Sequence, residues 1–419
     1  MRFFFADSQD LVDPAYDFTR ETHDVFRLRQ RDDRYPHEVL AEAPYDGLLI
    51  SKSIVDGVGG ASGRYTLGQK LRLRRLGARR FFRLRDDEPE RIETMGDCGA
   101  FSYARQEVPP YSVDDVLGFY EDCGFDYGVS IDHVILGFDR DGRADPEMLR
   151  EWQSRQQLTI ELAAEFLDRH RTQRARVKPL GAAQGWSPES YAESVRQLRE
   201  IGYERIAIGG MVPLKTPAII SVLRAVDEVR SGAQLHLLGV TRVEHVATFA
   251  SFGVTSFDST SPLRQAFMDD DDNYYWWGKN FVAVRVPPSE ANSRLRLKVR
   301  AGQLDHDRVL DFERTALRSI RRFAADEIGL QEVLDAVHRY SELIGERKDR
   351  TSAYAETLSE RPWTKCDCTV CMRVGVEVII FRGAERNRRR GFHNLHVFSK
   401  RLALHGVGGA ALLLEGKVS

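Results

Sequence analysis

The stretch CDCTVC, residues 366 to 371, brings Cys366, Cys368 and Cys371 within reach of one cation, in a chain with only five cysteines. Thiolates are soft ligands that suit tetrahedral zinc, and three of them leave one corner open. Downstream, GFHNLHVF carries His393 and His396, and either can close a Cys3His site once the intervening segment folds back. The competing reading is a set of incidental buried thiols. With four protein ligands there is no open position for substrate, so the zinc expected here is structural and the reactive groups must lie elsewhere.

Acids at the ends of apolar runs are the next candidates: Asp97 in GDCGAFSY, Asp132 in SIDHVI and Asp258 in SFDST, with Gln184 and Gly185 in AAQGW at a comparable place. Gly209 and Gly210 in AIGGM offer bare backbone against which a flat ligand can lie. Any one of these is most simply an ordinary loop residue. Their recurrence at successive strand ends is harder to dismiss, because a βα barrel builds its active site there.

The elements that must position these groups follow from periodicity. Apolar, β-prone runs at 3–7, 47–57, 129–136, 176–185, 205–212 and 234–240 alternate with segments of helical period. Asp145 before Pro146, Ser187 before Pro188, and Thr241 read as helix N-caps, and Gly202 and Gly253 stand where helices should stop. The expected fold is α/β, a TIM (β/α)8 barrel with a C-terminal helical, zinc-binding subdomain. Its domains are expected at 1–305 and 306–419, since long helical stretches begin after about residue 305. A doubly wound sheet competes, but no GxGxxG turn follows the first strand.

Composition sets the class. At 419 residues, with 42% hydrophobic and 30% charged residues and a net charge of -2, the chain reads as globular, and no apolar run approaches the ~20 residues that span a bilayer. MRFFFADSQD lacks the features of a signal peptide, so a cytoplasmic location with reduced thiols is expected. The basic runs 71–85 and 382–390 suit phosphate tracking or, equally, solvated surface.

Taken in order, PLGAAQGWSPESYAESVRQLREIGYERIAIGGMV, HLLGVTRVEHVATFASFGVTSFDSTSPLR and CDCTVC with a following HN resemble the tRNA-guanine transglycosylase (queuine and archaeosine tRNA-ribosyltransferase) superfamily. The N-terminal section, with FFFADSQDLVDPAYDF, QRDDRYPHEV and YDGLLISKSIVDG, looks like its DpdA-type DNA-guanine transglycosylase branch. The resemblance covers roughly residues 92 to 300 and the zinc segment, and favours His393 as the fourth ligand. It implies exchange of a guanine in a polynucleotide for a 7-deazaguanine. Asp258 matches the nucleophile and Asp97 the general acid/base. Asp132 matches the carboxylate that accepts from the base, Gln184, Gly209 and Gly210 the groups at its carbonyl edge, and Met211 and Phe101 the apolar contacts to its faces.

Where bacterial family members carry an acid to hold an aminomethyl group, this chain has MVPLK with Lys215. That favours the neutral nitrile base preQ0. DNA is the expected polynucleotide, with tRNA the rival substrate and a non-catalytic nucleic-acid-binding subunit the rival class. An ATPase partner that opens the duplex and a homodimer are both compatible with the resemblance.

Overall fold

In the computed structural model of the chain, residues 1–59, 61–85, 91–140 and 142–406 are described. Eight short strands pair in parallel: β1 Arg2–Ala6, β2 Gly47–Ser51, β3 Glu93–Asp97, β4 Tyr127–Val129, β5 Lys178–Ala183, β6 Arg205–Ile208, β7 Gln234–Leu237 and β8 Val254–Ser259. Neighbours follow chain order, and β1 returns to β8 with Phe3 opposite Phe257 and Phe4 opposite Asp258, closing the barrel. The TIM barrel expected from the βα rhythm is present, and the open sheet is excluded.

Helices α1 Leu67–Phe81, α2 Val113–Cys123, α3 Pro146–Gln173, α4 Pro188–Ile201, α5 Thr216–Val229, α6 Val246–Ser251 and α7 Ser261–Met268 follow β2 to β8 in turn. Asp145 and Ser187 accept the N–H groups of Glu147 and Ser190, so α3 and α4 start at the expected caps. Gly202 closes α4 in the left-handed region at φ 112°. Thr241 does not act as a cap, because a 3-10 turn, Val243–His245, intervenes before α6.

Side chains alternate along each strand, and Phe4, Leu49, Met95, Tyr127, Val129, Leu180, Ala182 and Ala207 form one buried cluster. Each large member contributes about 1.5–3 kcal/mol by leaving water. This packing makes the barrel a core with no pore. Two residues beyond Met95, on the same side of β3, stands Asp97.

The run at 129–136 was expected to be all strand, yet β4 ends at Val129. The buried residues beyond it are held by other bonds: Ser130 N–H donates to the Leu180 carbonyl, His133 N–H to Thr159 Oγ1, and Ile135 N–H to Gln184 Oε1. Their backbone donors are satisfied without a ladder, and Asp132 is thereby carried on a buried loop. Likewise only Gly47–Ser51 of the 47–57 run is barrel strand, and Lys52–Asp56 turns into a short helix closed by the Lys52–Asp56 ion pair at 2.7 Å.

Contacts divide the chain into two compact units. The first comprises Met1–Gln9, Tyr45–Thr260 and residues 402–406; the second comprises Asp10–Pro44 and Ser261–Arg401. The division expected at residue 305 is not where the contacts separate. Val284 and Arg285 pair in parallel with Ile380 and Phe381, and Glu21 binds Arg382 and Arg386, which ties 261–305 and the β1–β2 connection to the second unit. That unit contains α7, α8 Ser293–Arg300, α9 His306–Ala324, α10 Leu330–Ile344, α11 Thr369–Val374 and most of α12 Gly383–Gly406. Residues 407–419 of the expected zinc-bearing subdomain lie outside the described residues. Among the described residues, no helix is long and apolar enough to cross a membrane.

Candidate active site and metal centre

In β8 the period of two sends Ser256 and Asp258 to one face and Phe257 to the other, where its ring stacks on Phe3 at 5.3 Å. His236 lies opposite Ser256 in the register of β7 and β8. Its Nδ1 is 2.9 Å from Ser256 Oγ and its Nε2 3.3 Å from Asp258 Oδ1, and Gly239 N–H donates to the same oxygen at 3.0 Å. A carboxylate only accepts, so Nε2 carries the proton and Nδ1 receives the Ser256 hydroxyl. One oxygen of Asp258 is thus anchored and the carboxylate's rotation fixed.

Asp97 ends β3 beside Ser51 of β2. Its Oδ2 accepts Gly99 N–H at 3.2 Å, while its Oδ1 is buried without a hydrogen bond of its own. Burial, and then the charges of Asp258 and Asp132, push Asp97 up to about 7; bonding to Ser51 and Gly99 does not offset them. An orphaned carboxyl oxygen on a group poised near neutrality is suited to give and take a proton.

Asp132 is buried and its pKa is raised by desolvation, against the opposing bonds from Cys98 and Gln184. Gln184 Nε2 donates to Asp132 Oδ2 at 2.5 Å, and Cys98 Sγ lies 3.1 Å from Oδ1. Tyr103 donates to Cys98 Sγ at 2.8 Å and also reaches the Asp132 carbonyl at 3.1 Å. Burial pushes the Cys98 thiol up, so it serves as a donor and not as a thiolate.

The glycine pair has a reason other than a bare platform. A Cβ on Gly209 would fall 2.1 Å from Gln184 Nε2, and Gly210 holds a left-handed φ of 72° with the Ile135 carbonyl 2.6 Å from where its Cβ would be. Gln184 itself occupies the space left by Gly209. Phe101 is 53% exposed on the turn after β3, whereas Met211 has no exposed surface.

His236, Cys98, Tyr103, Ser51 and the Gly239 N–H were not singled out in the sequence. A polar residue at an inward position of the apolar run QLHLLGV was the available signal for His236. Cys98 is adjacent to Asp97, but its role depends on Asp132, 34 residues away.

In the second unit, Cys366, Cys368, Cys371 and His393 place one ligand atom each within 4.8 Å of one another. His393 Nδ1 is 3.4, 3.5 and 3.3 Å from the three sulfurs. A tetrahedral ion with Zn–S of ≈ 2.3 Å and Zn–N of ≈ 2.0–2.1 Å requires S···N edges of about 3.5 Å. The donor set and its dimensions fit. His393 Nε2 lies 2.8 Å from the Tyr275 carbonyl and donates to it, which directs Nδ1 at the ion site, and Tyr274 stacks on the imidazole at 4.0 Å. Cys368 also caps α11 by accepting Cys371 N–H. His396 lies instead beside Asp367 at 3.3 Å, so the fourth ligand position belongs to His393.

The basic run 382–390 is largely internal scaffolding, and 71–85 is so only in part, since Arg75, Arg80 and Arg85 are exposed. Arg382 and Arg386 share Glu21 and reach Glu313 and Glu377, Arg389 binds Glu385, and the fully buried Arg390 donates to the carbonyls of Ala266, Val378 and Ile380. In 71–85, Arg74 pairs with Asp56, and Arg79 donates to the carbonyls of Ile92 and Arg85. The buried guanidinium groups of 382–390 are satisfied, by acids at Arg382, Arg386 and Arg389 and by carbonyls alone at Arg390.

Carboxylates gathered at the carboxyl ends of barrel strands, one of them poised near neutrality, suit an enzyme that breaks and remakes a glycosidic bond. The family model described as Queuine tRNA-ribosyltransferase matches residues 133–275, which include Gln184, Gly209, Gly210, His236 and Asp258. Over 408 residues the chain is 46% identical to a DNA-guanine transglycosylase of Salmonella montevideo, covering 96% of each. The chain belongs to the DNA-guanine transglycosylase branch of the tRNA-guanine transglycosylase superfamily, and is a pentosyltransferase that exchanges guanine.

Proposed function

We propose that the enzyme exchanges guanine in DNA for preQ0 through a covalent glycosyl-enzyme. The observation that carries the chemistry is the anchored Asp258 beside a carboxyl raised to about 7. The free oxygen of Asp258 attacks C1′ of the nucleotide, the C1′–N9 bond breaks, and its electron pair leaves with guanine, which takes a proton from Asp97. Ionised Asp97 then accepts a proton from the incoming base. That base attacks C1′ and releases Asp258. Asp132 accepts from the base's N1 and exocyclic amine, Gln184 and the Gly209–Gly210 backbone serve its carbonyl edge, and Phe101 covers one face. Met211 covers the other once the turn opens around the base.

DNA as substrate rests on the likeness to the Salmonella DNA-guanine transglycosylase and on the N-terminal section. The case for preQ0 is that no acid lies between Gly209 and Thr216 to hold an amine, and that exposed Lys215 adds a cation there. The resident metal proposed is zinc, held by Cys366, Cys368, Cys371 and His393 as a structural ion that supplies rigidity and no chemistry. Incubation with radiolabelled guanine and either duplex DNA or tRNA tests the substrate. Label is expected in DNA; label in tRNA alone overturns the DNA reading, and label in neither overturns catalysis.

Asp97→Asn carries a second expectation. Since its folded pKa lies above the ordinary 3.8, Asp97 contributes its full stability below about pH 4 and loses it as pH rises through about 7. The amide should therefore raise the thermal midpoint at pH 8 while lowering turnover by about 10²- to 10⁴-fold. A lower midpoint at pH 8 or unchanged turnover would contradict the role given to Asp97.

A further inference from the structure

With Arg382, Arg386 and Arg389 committed to internal ion pairs and Arg390 to buried carbonyls, the second unit still carries a set of cations that nothing inside it uses. α8, SRLRLKVR, has Arg294, Arg296, Lys298 and Arg300 exposed around a single buried anchor, Leu295 at 3% exposure. Asn292 caps it by accepting Leu295 N–H at 3.1 Å. At 100° per residue Leu295 and Val299 form the inward seam, Arg294 and Lys298 lie along one side of it, and Arg296 and Arg300 along the other. The hollows on either side agree with this. Arg296 and Arg300 line one of about 190 Å³ with Glu290 and His306. Arg294 lines one of about 610 Å³ with Arg347, also exposed.

None of these five cations has a carboxylate partner among the described residues. The acids of the larger hollow are already taken, Asp270 and Glu346 by Arg285 and Arg350. Four charges on eight residues without neutralising partners repel one another and destabilise the helix. An external polyanion removes that repulsion.

We propose that α8, extended by Arg347, is a surface that grips the phosphate backbone of duplex DNA. This rests on the reading of DNA as substrate. At 1.5 Å per residue the helix is about 12 Å long, the axial rise of three to four phosphates of one strand. Side chains of this kind neutralise phosphates and carry no sequence code, so they supply affinity and register while the barrel supplies base choice.

Fluorescence anisotropy of a mixed-sequence duplex of about 30 base pairs, titrated with full-length zinc-loaded protein over a range of salt, tests this. A variant with Arg294→Ala, Arg296→Ala, Lys298→Ala and Arg300→Ala should bind at least about tenfold more weakly. The slope of log K against log salt should shrink by about 3 to 4. Its KM for DNA should rise with kcat little changed. The charge-conserving variant Arg294→Lys, Arg296→Lys, Arg300→Lys should retain affinity and slope, which separates charge from folding. An alanine variant with wild-type slope, or loss of binding in the lysine variant, overturns the proposal. Tighter binding of a tRNA transcript through the same residues overturns the choice of DNA. Wild-type protein that shows this variant-dependent DNA binding yet incorporates no base into DNA would refute the exchange reaction and support the surface.

Discussion

Asp258→Ala should eliminate both base exchange and any protein–DNA adduct, with a loss on the order of 10⁴- to 10⁶-fold, as when one member of a nucleophilic apparatus is removed. The residue is 7% exposed and its Oδ1 is held by Gly239 N–H and His236, so this carboxylate is fixed in direction and not merely present. Removing it leaves His236 hydrogen-bonded to Ser256 and the barrel closed through backbone pairs, so the variant should fold. Circular dichroism and metal content near wild type, with no shifted band on a denaturing gel after incubation with DNA, is the expected set. Retained turnover would remove Asp258 from the role of nucleophile, and an adduct surviving in the variant would move it to another side chain.

The second large effect is on stability. Structural zinc in small domains contributes about 10–16 kcal/mol of apparent binding free energy, which is folding free energy when the site forms only on folding. In the second unit the four ligands come from the start of α11, the segment before it and the middle of α12, and one ion would join all three. Chelation or Cys366→Ser should lower the thermal midpoint on the order of 10 °C or more and reduce solubility, while molecules that remain folded turn over near the wild-type rate. Metal analysis with a thermal melt and an activity titration checks this. A normal midpoint with selective loss of exchange would give the ion a chemical role and contradict the structural one.

What the sequence made legible was local or periodic. The βα rhythm, the caps at Asp145 and Ser187 and the acids Asp97, Asp132 and Asp258 all depend on near neighbours, and each of the three acids stands in or just beyond a barrel strand. What escaped depends on partners distant in the chain. Nothing in RGAERNRRR announces that its arginines face Glu21, some 360 residues earlier, and a basic run reads as surface until its acids are found. His236 was hidden inside an apolar run because its two partners come from β8. The loop carrying Asp132 looked like strand because burial, not alternation, governs its composition; its backbone is satisfied by Thr159 and Gln184 instead of by a neighbouring strand. The second unit's claim on residues 10–44 was equally invisible, since the segment has no period of its own.

The central claim is that this barrel replaces guanine in DNA, and nucleoside analysis tests it most directly. Purified zinc-loaded enzyme is incubated with duplex DNA and preQ0, the DNA is digested to deoxynucleosides, and these are separated and weighed by mass spectrometry. The expected result is the 2′-deoxynucleoside of 7-cyano-7-deazaguanine appearing as deoxyguanosine falls, absent from the Asp258→Ala control; unmodified DNA alongside modified tRNA from the same enzyme would contradict it.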